Sequence, residues 1–150
     1  MKITIKNIIK ENKDIDPKQR YVNGILNMIT PPYFRFLKVN EVPEGLWYEI
    51  LTKVFNQKVI ISDNVIYDLN GNEIYRENSK GHWVKGEYDS NNNNIYYEDS
   101  KGTWIKREYD SNNNLIYFED SNGFWEKSEY DENNNLIYRE KSDGEIRDYR

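Results

Sequence analysis

A chain of 150 residues is long enough for one domain, or for a small domain followed by an array. Its apolar share of 37%, with a mean hydropathy of −1.00, argues against a thick dry core throughout. The absence of cysteine excludes disulfides, thiolate metal sites and a cysteine nucleophile, and no apolar run is long enough to cross a bilayer. The net charge of −5 is unevenly placed: residues 1–60 hold ten Lys/Arg against six Asp/Glu, whereas residues 61–150 hold eleven against twenty and so carry −9.

Taken in chain order, Met1-Lys2-Ile3-Thr4-Ile5-Lys6 lacks a signal-peptide core and a small-residue cleavage site. A soluble, unexported, cytoplasmic protein is expected, in a bacterium or in the host cell of a phage, with no membrane partner. Asp16-Pro17 is a helix start, with an N-cap aspartate and proline at the first helical position. Tyr21, Val22, Ile25, Leu26, Met28 and Ile29 then give an apolar stripe at helical spacing, and Thr30-Pro31-Pro32 stops it. Tyr33–Leu37 is expected to be extended or a short turn. Glu41-Val42-Pro43-Glu44 opens a second helix whose apolar face is Leu46, Trp47, Ile50, Leu51, Val54 and Phe55, and Asn56-Gln57 ends it. We assign residues 1–58 to an α-rich module that caps a sheet, because the open end of an array needs protection. Tyr33, Phe34 and Trp47 then either belong to its core or contact a partner.

Residues 59–150 are dominated by a 21-residue period, found from four independent markers. Tyr-Asp recurs at Tyr67, Tyr88, Tyr109 and Tyr130; Ile-Tyr at Ile74, Ile95, Ile116 and Ile137; glycine at Gly81, Gly102, Gly123 and Gly144; tryptophan at Trp83, Trp104 and Trp125, with Ile146 in the last place. Each unit reads as two short strands rich in aromatic and β-branched residues, separated by Asn/Gly turns. Gly71 aligns with Asn92, Asn113 and Asn134, and the two residue types share a tolerance of positive φ. The fold class expected is α+β: a small helical N-terminal module capping an antiparallel β-meander of eight or nine hairpin strands, in a single-layer or loosely covered sheet. Both faces mix aromatics with charges, so cross-strand aromatic and Lys–Glu pairs are expected to hold it, each contributing about 0.2–1 kcal/mol.

The pattern Tyr-Asp-x-Asn-x-Asn-x-Ile, followed by an Asp-Ser-x-Gly turn, resembles the YD repeats of bacterial RHS proteins over residues 64–150, and more distantly the hairpins of MORN-type repeats. The resemblance implies a β-hairpin scaffold. In RHS proteins such units often build shells around a toxin. It implies no catalysis.

Catalytic chemistry finds little support in the residues. His82 is the single histidine, and its repeat counterparts are Thr103, Phe124 and Glu145. No nucleophile elbow, phosphate loop or dinucleotide fingerprint is present. The recurring carboxylates (Glu77, Glu98, Glu119 and Glu140; Glu87, Glu108 and Glu129) form periodic rows rather than a pocket, and opposite Lys85, Lys106 and Lys127 they read as cross-strand pairs. Asp68–Asn72 and Asp89–Asn93 weakly resemble calcium loops but lack the bidentate glutamate. No catalytic residue, cofactor or metal is expected.

The function expected is a non-catalytic protein-binding module. It would be an acidic inhibitor or immunity-type protein for a basic partner, contacted through Trp83, Tyr97, Glu98, Trp104, Glu108, Phe118, Glu119 and Trp125. Its sharper form is a phage anti-CRISPR-like inhibitor of a bacterial defence nuclease. Alternatives are a self-assembling structural repeat, a homo-oligomer joined at sheet edges, and a carbohydrate-binding module using the aromatic rows. Direct nucleic-acid binding is disfavoured by the acidic array.

Overall fold

Asp16 starts the first helix as its position predicts: its carboxylate accepts the Gln19 amide at 3.1 Å, with Pro17 at the first helical position. The structure, a computed structural model, describes residues 15–150. Helix α1 spans Pro17–Leu26. It ends short of the apolar stripe read from sequence. The chain tightens so that the Met28 and Ile29 amides both donate to the Ile25 carbonyl, and Met28 is left exposed.

Tyr33–Val39 forms a second helix, α2, where the sequence suggested extended chain or a turn. Its N-cap residue, Pro32, offers no capping side chain. The cap comes from far along the chain instead. Glu77 Oε1 accepts the Phe34 amide at 2.5 Å and Oε2 accepts the Arg35 amide at 3.2 Å. These are two of the amides that a helix start leaves without an internal partner, and a local reading has no access to that contact. A 3₁₀ turn, Glu44–Leu46, leads into α3, Trp47–Phe55, which closes on Asn56 in the left-handed region at φ +52°.

Ten strands follow: β1 Ile60–Ser62, β2 Val65–Tyr67, β3 Glu73–Glu77, β4 Trp83–Tyr88, β5 Asn94–Asp99, β6 Trp104–Tyr109, β7 Leu115–Asp120, β8 Trp125–Tyr130, β9 Leu136–Lys141 and β10 Ile146–Asp148. They are ordered consecutively, β1 to β10, as an open antiparallel meander. The α+β architecture expected is therefore the one present, with ten strands rather than eight or nine. The strand beyond nine is β1, which pairs with β2 as a hairpin. Its two-residue loop turns on Asp63 at φ +51°, with no glycine to mark it. No described helix is long and apolar enough to cross a membrane.

The chain divides into two compact units, one holding the described residues up to Gly71 together with Arg76–Trp83, the other holding Asn72–Tyr75 and Val84–Arg150. The first has a dry core. Val22, Ile25, Phe34, Leu37, Ile50, Leu51, Val59 and Ile66 are all buried. Tyr33 meets Phe55 edge-on with centroids 5.5 Å apart, and Phe34 lies 5.8 Å from Trp47, whose indole N–H donates to the Val42 carbonyl at 3.2 Å. Tyr33 and Phe34 are buried and belong to this core. The second unit differs sharply: across residues 84–150 only Ser128 is buried.

Candidate interaction surface

Five turns of the array are small hydrogen-bonded rings built on an aspartate at their first position. Asp89 Oδ1 accepts the amides of Asn91 and Asn93, both at 2.9 Å, and Asn92 between them sits at φ +64°. Asp110 and Asp131 repeat the ring around Asn113 and Asn134, and Asp99 and Asp120 repeat it around Gly102 and Gly123. This is an Asx turn. The calcium-loop resemblance therefore resolves into carboxylates bonded to their own turns. Accepting these bonds lowers the carboxyl pKa of Asp89, Asp110 and Asp131. For Asp89 the Asn93 backbone amide is the largest cause; for Asp110 and Asp131 it is the side-chain amide of Asn114 and Asn135.

Asparagine at the left-handed position has a second use. Asn92, Asn113 and Asn134 each offer Oδ1 to a side-chain amide of the preceding turn: Asn72 at 2.9 Å, Asn93 at 2.8 Å and Asn114 at 2.8 Å. These bonds form an asparagine ladder along one margin of the array. The ladder explains why asparagine stands where glycine would satisfy the backbone alone.

Strand register sorts the second unit's side chains onto two faces, because directly opposed residues point the same way. Lys85 opposes Glu98, Glu98 opposes Trp104, Lys106 opposes Glu119, Glu119 opposes Trp125, and Lys127 opposes Glu140. Glu87 opposes Tyr96, Glu108 opposes Tyr117, and Glu129 opposes Tyr138. One face thus carries Trp, Tyr and Lys with six glutamates. The other carries Tyr97 opposite Ile105, Arg107 opposite Phe118, and Ser128 opposite Arg139.

On the tryptophan face, Lys106 Nζ sits 5.1 Å from the Trp104 ring centre and Lys127 Nζ 5.2 Å from that of Trp125. The expected Lys–Glu pairing is met in register only: no ion pair joins Lys106 to Glu119 or Lys127 to Glu140. Both ammonium groups lie over the indole beside them, two residues back on the same strand. The glutamates have a different partner. Tyr96, Tyr117 and Tyr138 donate their hydroxyls to Oε2 of Glu98 at 3.3 Å, Glu119 at 3.1 Å and Glu140 at 3.1 Å. Desolvation, followed by the adjacent carboxylate, raises the pKa of these three phenols, so they remain donors at neutral pH. At the last strand, Arg150 lies 4.3 Å from the Tyr138 ring centre and bonds Asp148, which holds the Asp148 carboxyl down at about 2.

The opposite face has its own order. Arg107 donates to Asn94 Oδ1 at 2.5 Å and lies 5.9 Å from the Phe118 ring centre, and Phe118 is 6.0 Å from Phe124. Arg139 Nε stands 3.3 Å from Glu126 Oε1, an ion pair without hydrogen-bond alignment. Gly86 stands in a tight place on this face. A side chain at this position would come within 3.3 Å of the Glu73 carbonyl and 3.4 Å of the Tyr88 ring, whose hydroxyl bonds that same carbonyl.

The eight residues read from sequence as partner contacts do not form one patch. Glu98, Trp104, Glu108, Glu119 and Trp125 share the tryptophan face of the second unit. Tyr97 and Phe118 lie on the opposite face. Trp83 falls in the first unit. Sequence reasoning missed Tyr96, Tyr117 and Tyr138, although the signal was available: Tyr and Glu two apart on a strand share a face. In the first unit an open cleft lined by Thr30, Pro31, Pro32, Arg35, Phe36, Val39 and Asn40 gathers few polar groups, and the Asn40 amide already donates to the Phe36 carbonyl. Among the described residues, no three His, Cys, Asp or Glu side chains gather as a metal would need. No protein-family model and no curated protein sequence matches the chain.

Proposed function

We propose that the chain is a non-catalytic binding module that takes a basic protein partner on the tryptophan face of its array. The observation that carries this reading is a sheet face whose aromatic and acidic side chains are ordered but not buried. Trp104 and Trp125 stand half-buried between rows of glutamate that outnumber the lysines six to three. Large aromatic side chains with restricted rotamers are common anchors of protein interfaces, and an acidic surround raises the encounter rate with a basic target. Three of these carboxylates, Glu98, Glu119 and Glu140, are held in place by tyrosine hydroxyls, which lowers the ordering cost on binding. The reading narrows the eight sequence candidates to the five on this face.

An inhibitor or immunity-type role fits such a module, and its sharper form is a phage anti-CRISPR-like protein that occupies the nucleic-acid channel of a defence nuclease. The test is affinity capture of the tagged whole chain from bacterial lysate at low and high salt, alongside a variant carrying Glu98→Lys, Glu108→Lys and Glu119→Lys. The expected result is a basic protein retained by the native chain, lost as salt rises and not retained by the variant. Equal retention by both would remove the tryptophan face as the binding surface. Retention of the chain by itself alone would favour a self-assembling repeat.

A further inference from the structure

The array contains a worked example of what its glutamate row can hold. Glu77 and Glu98, Glu119 and Glu140 occupy one position of the 21-residue repeat. In the first case the carboxylate is buried, and both of its oxygens are occupied by successive backbone amides at the start of helix α2. In the other three the carboxylate is half-buried. Its Oε2 accepts a tyrosine hydroxyl, and Oε1 takes no hydrogen bond from the described residues. The same strand position is thus filled once by a helix start and left with an unused acceptor three times.

We infer that the Tyr96–Glu98, Tyr117–Glu119 and Tyr138–Glu140 pairs are receptors for the N-termini of a partner's helices, held through backbone amides as Glu77 holds α2. This rests on the proposed tryptophan-face reading and names its partner class: a helical protein with basic, aromatic first turns. Three physical arguments converge. The first turn of a helix presents amides with no internal acceptor, and its partial positive charge favours a carboxylate. The internal occupant shows the matching side-chain chemistry, because Tyr33–Val39 contains Arg35 and Lys38 and no acid. The pairs recur every second strand, a spacing of roughly 9.6 Å at ~4.8 Å per strand, and neighbouring helices pack 8–10 Å apart. Adjacent pairs therefore suit adjacent helices. Trp104 and Trp125 oppose Glu98 and Glu119, so a first turn at either of these two pairs meets an indole beside its carboxylate, whereas Ile146 opposes Glu140.

The probe is a side-chain-stapled, N-acetylated peptide copying residues 31–40, titrated into the isotopically labelled whole chain and followed by amide chemical shifts. A second peptide is N-methylated at the positions of Phe34 and Arg35. Those amides make no internal helix bonds, so the change removes the donors without altering charge. The expected result is saturable shifts centred on the three Tyr–Glu pairs. Affinity should fall at least tenfold for the N-methylated peptide, and at least tenfold for the native peptide on the Glu98→Gln, Glu119→Gln, Glu140→Gln chain. Equal binding of both peptides would reduce the contact to charge attraction and overturn the inference, while leaving the acidic-face reading intact. No binding of either peptide by a chain that still captures a basic protein through this face would do the same. Failure of both the peptide and the capture experiment would remove the parent reading as well.

Discussion

Residues 15–71 and residues 84–150 are held together by different physics. The first stretch follows the usual rule for small domains: short helices, weak in isolation, become stable by burying Phe34, Leu37, Ile50, Leu51 and Ile66 away from water. The second buries almost nothing. Its strands gain stability in small increments repeated along the array: Asx rings at five turns, an asparagine ladder between turns, lysines over indoles, tyrosines on glutamates. In a repeat of this kind, stability is a sum of unit and nearest-neighbour contributions. The comparison teaches that a chain with little apolar content can still specify a large sheet, provided each polar group has a neighbour in register. It also shows a consequence for function. A sheet that does not spend its aromatic side chains on a core keeps them at the surface.

The contrast is broken most directly by truncating one large aromatic in each region. Phe34→Ala should cost about 3–5 kcal/mol, the usual range for a fully buried phenylalanine. Phe118→Ala, on the open sheet, should cost about 1 kcal/mol, the scale of a cross-strand pair. Urea unfolding of the whole chain, with tryptophan fluorescence and far-UV circular dichroism followed together, would measure both. Equal losses would mean that the array hides a cooperative core that its exposure does not reveal.

The glutamate row gives a sharper comparison, since repeat position is held constant. Glu77→Ala strands one buried and one part-buried backbone amide at the start of α2 and should destabilise by about 2–4 kcal/mol, at 1–3 kcal/mol per unsatisfied group with partial relaxation. Glu119→Ala removes a carboxylate from one surface tyrosine and should cost under about 1 kcal/mol. If the two variants unfold at the same urea concentration, Glu77 is not the cap that forms this helix.

These elements also mark where the sequence could be read and where it could not. The array was legible because its signals are local: Asp at the start of a turn, Asn or Gly at the left-handed position, and a period of two in the strands. Even the separation of Trp104 from Tyr97 onto opposite faces follows from counting along each strand and matching registers. Helix α2 was not legible, because its cap arrives from Glu77, more than forty residues away, and nothing in Tyr33–Leu37 signals it. The turn between β1 and β2 went unread for a related reason, Asp63 taking a left-handed conformation that Gly or Asn usually announces. The candidate surface was half legible. The residue types were right, but treating them as one patch ignored strand parity, and their partners Tyr96, Tyr117 and Tyr138 emerge only when same-face neighbours two apart are considered.

The smallest expected effect separates the two regions by acidity. Asp89, Asp110 and Asp131 have carboxyl pKa values lowered in the fold by the amides they accept. A group depressed in this way contributes stability that is fully present above its unfolded value of about 3.9 and is lost as pH falls through the lower folded value. The array should therefore show no change from these groups between pH 5 and 8 and a progressive weakening below about pH 4. The chain already contains the control. Asn78 builds the same turn with a neutral side chain, its Oδ1 accepting the amides of Lys80 at 2.9 Å and His82 at 3.1 Å. Replacing all three aspartates by asparagine should accordingly keep the turns at pH 7 and flatten the acid limb of urea midpoint against pH. If the acid limb stays as steep in the triple variant, the array's acid sensitivity arises elsewhere.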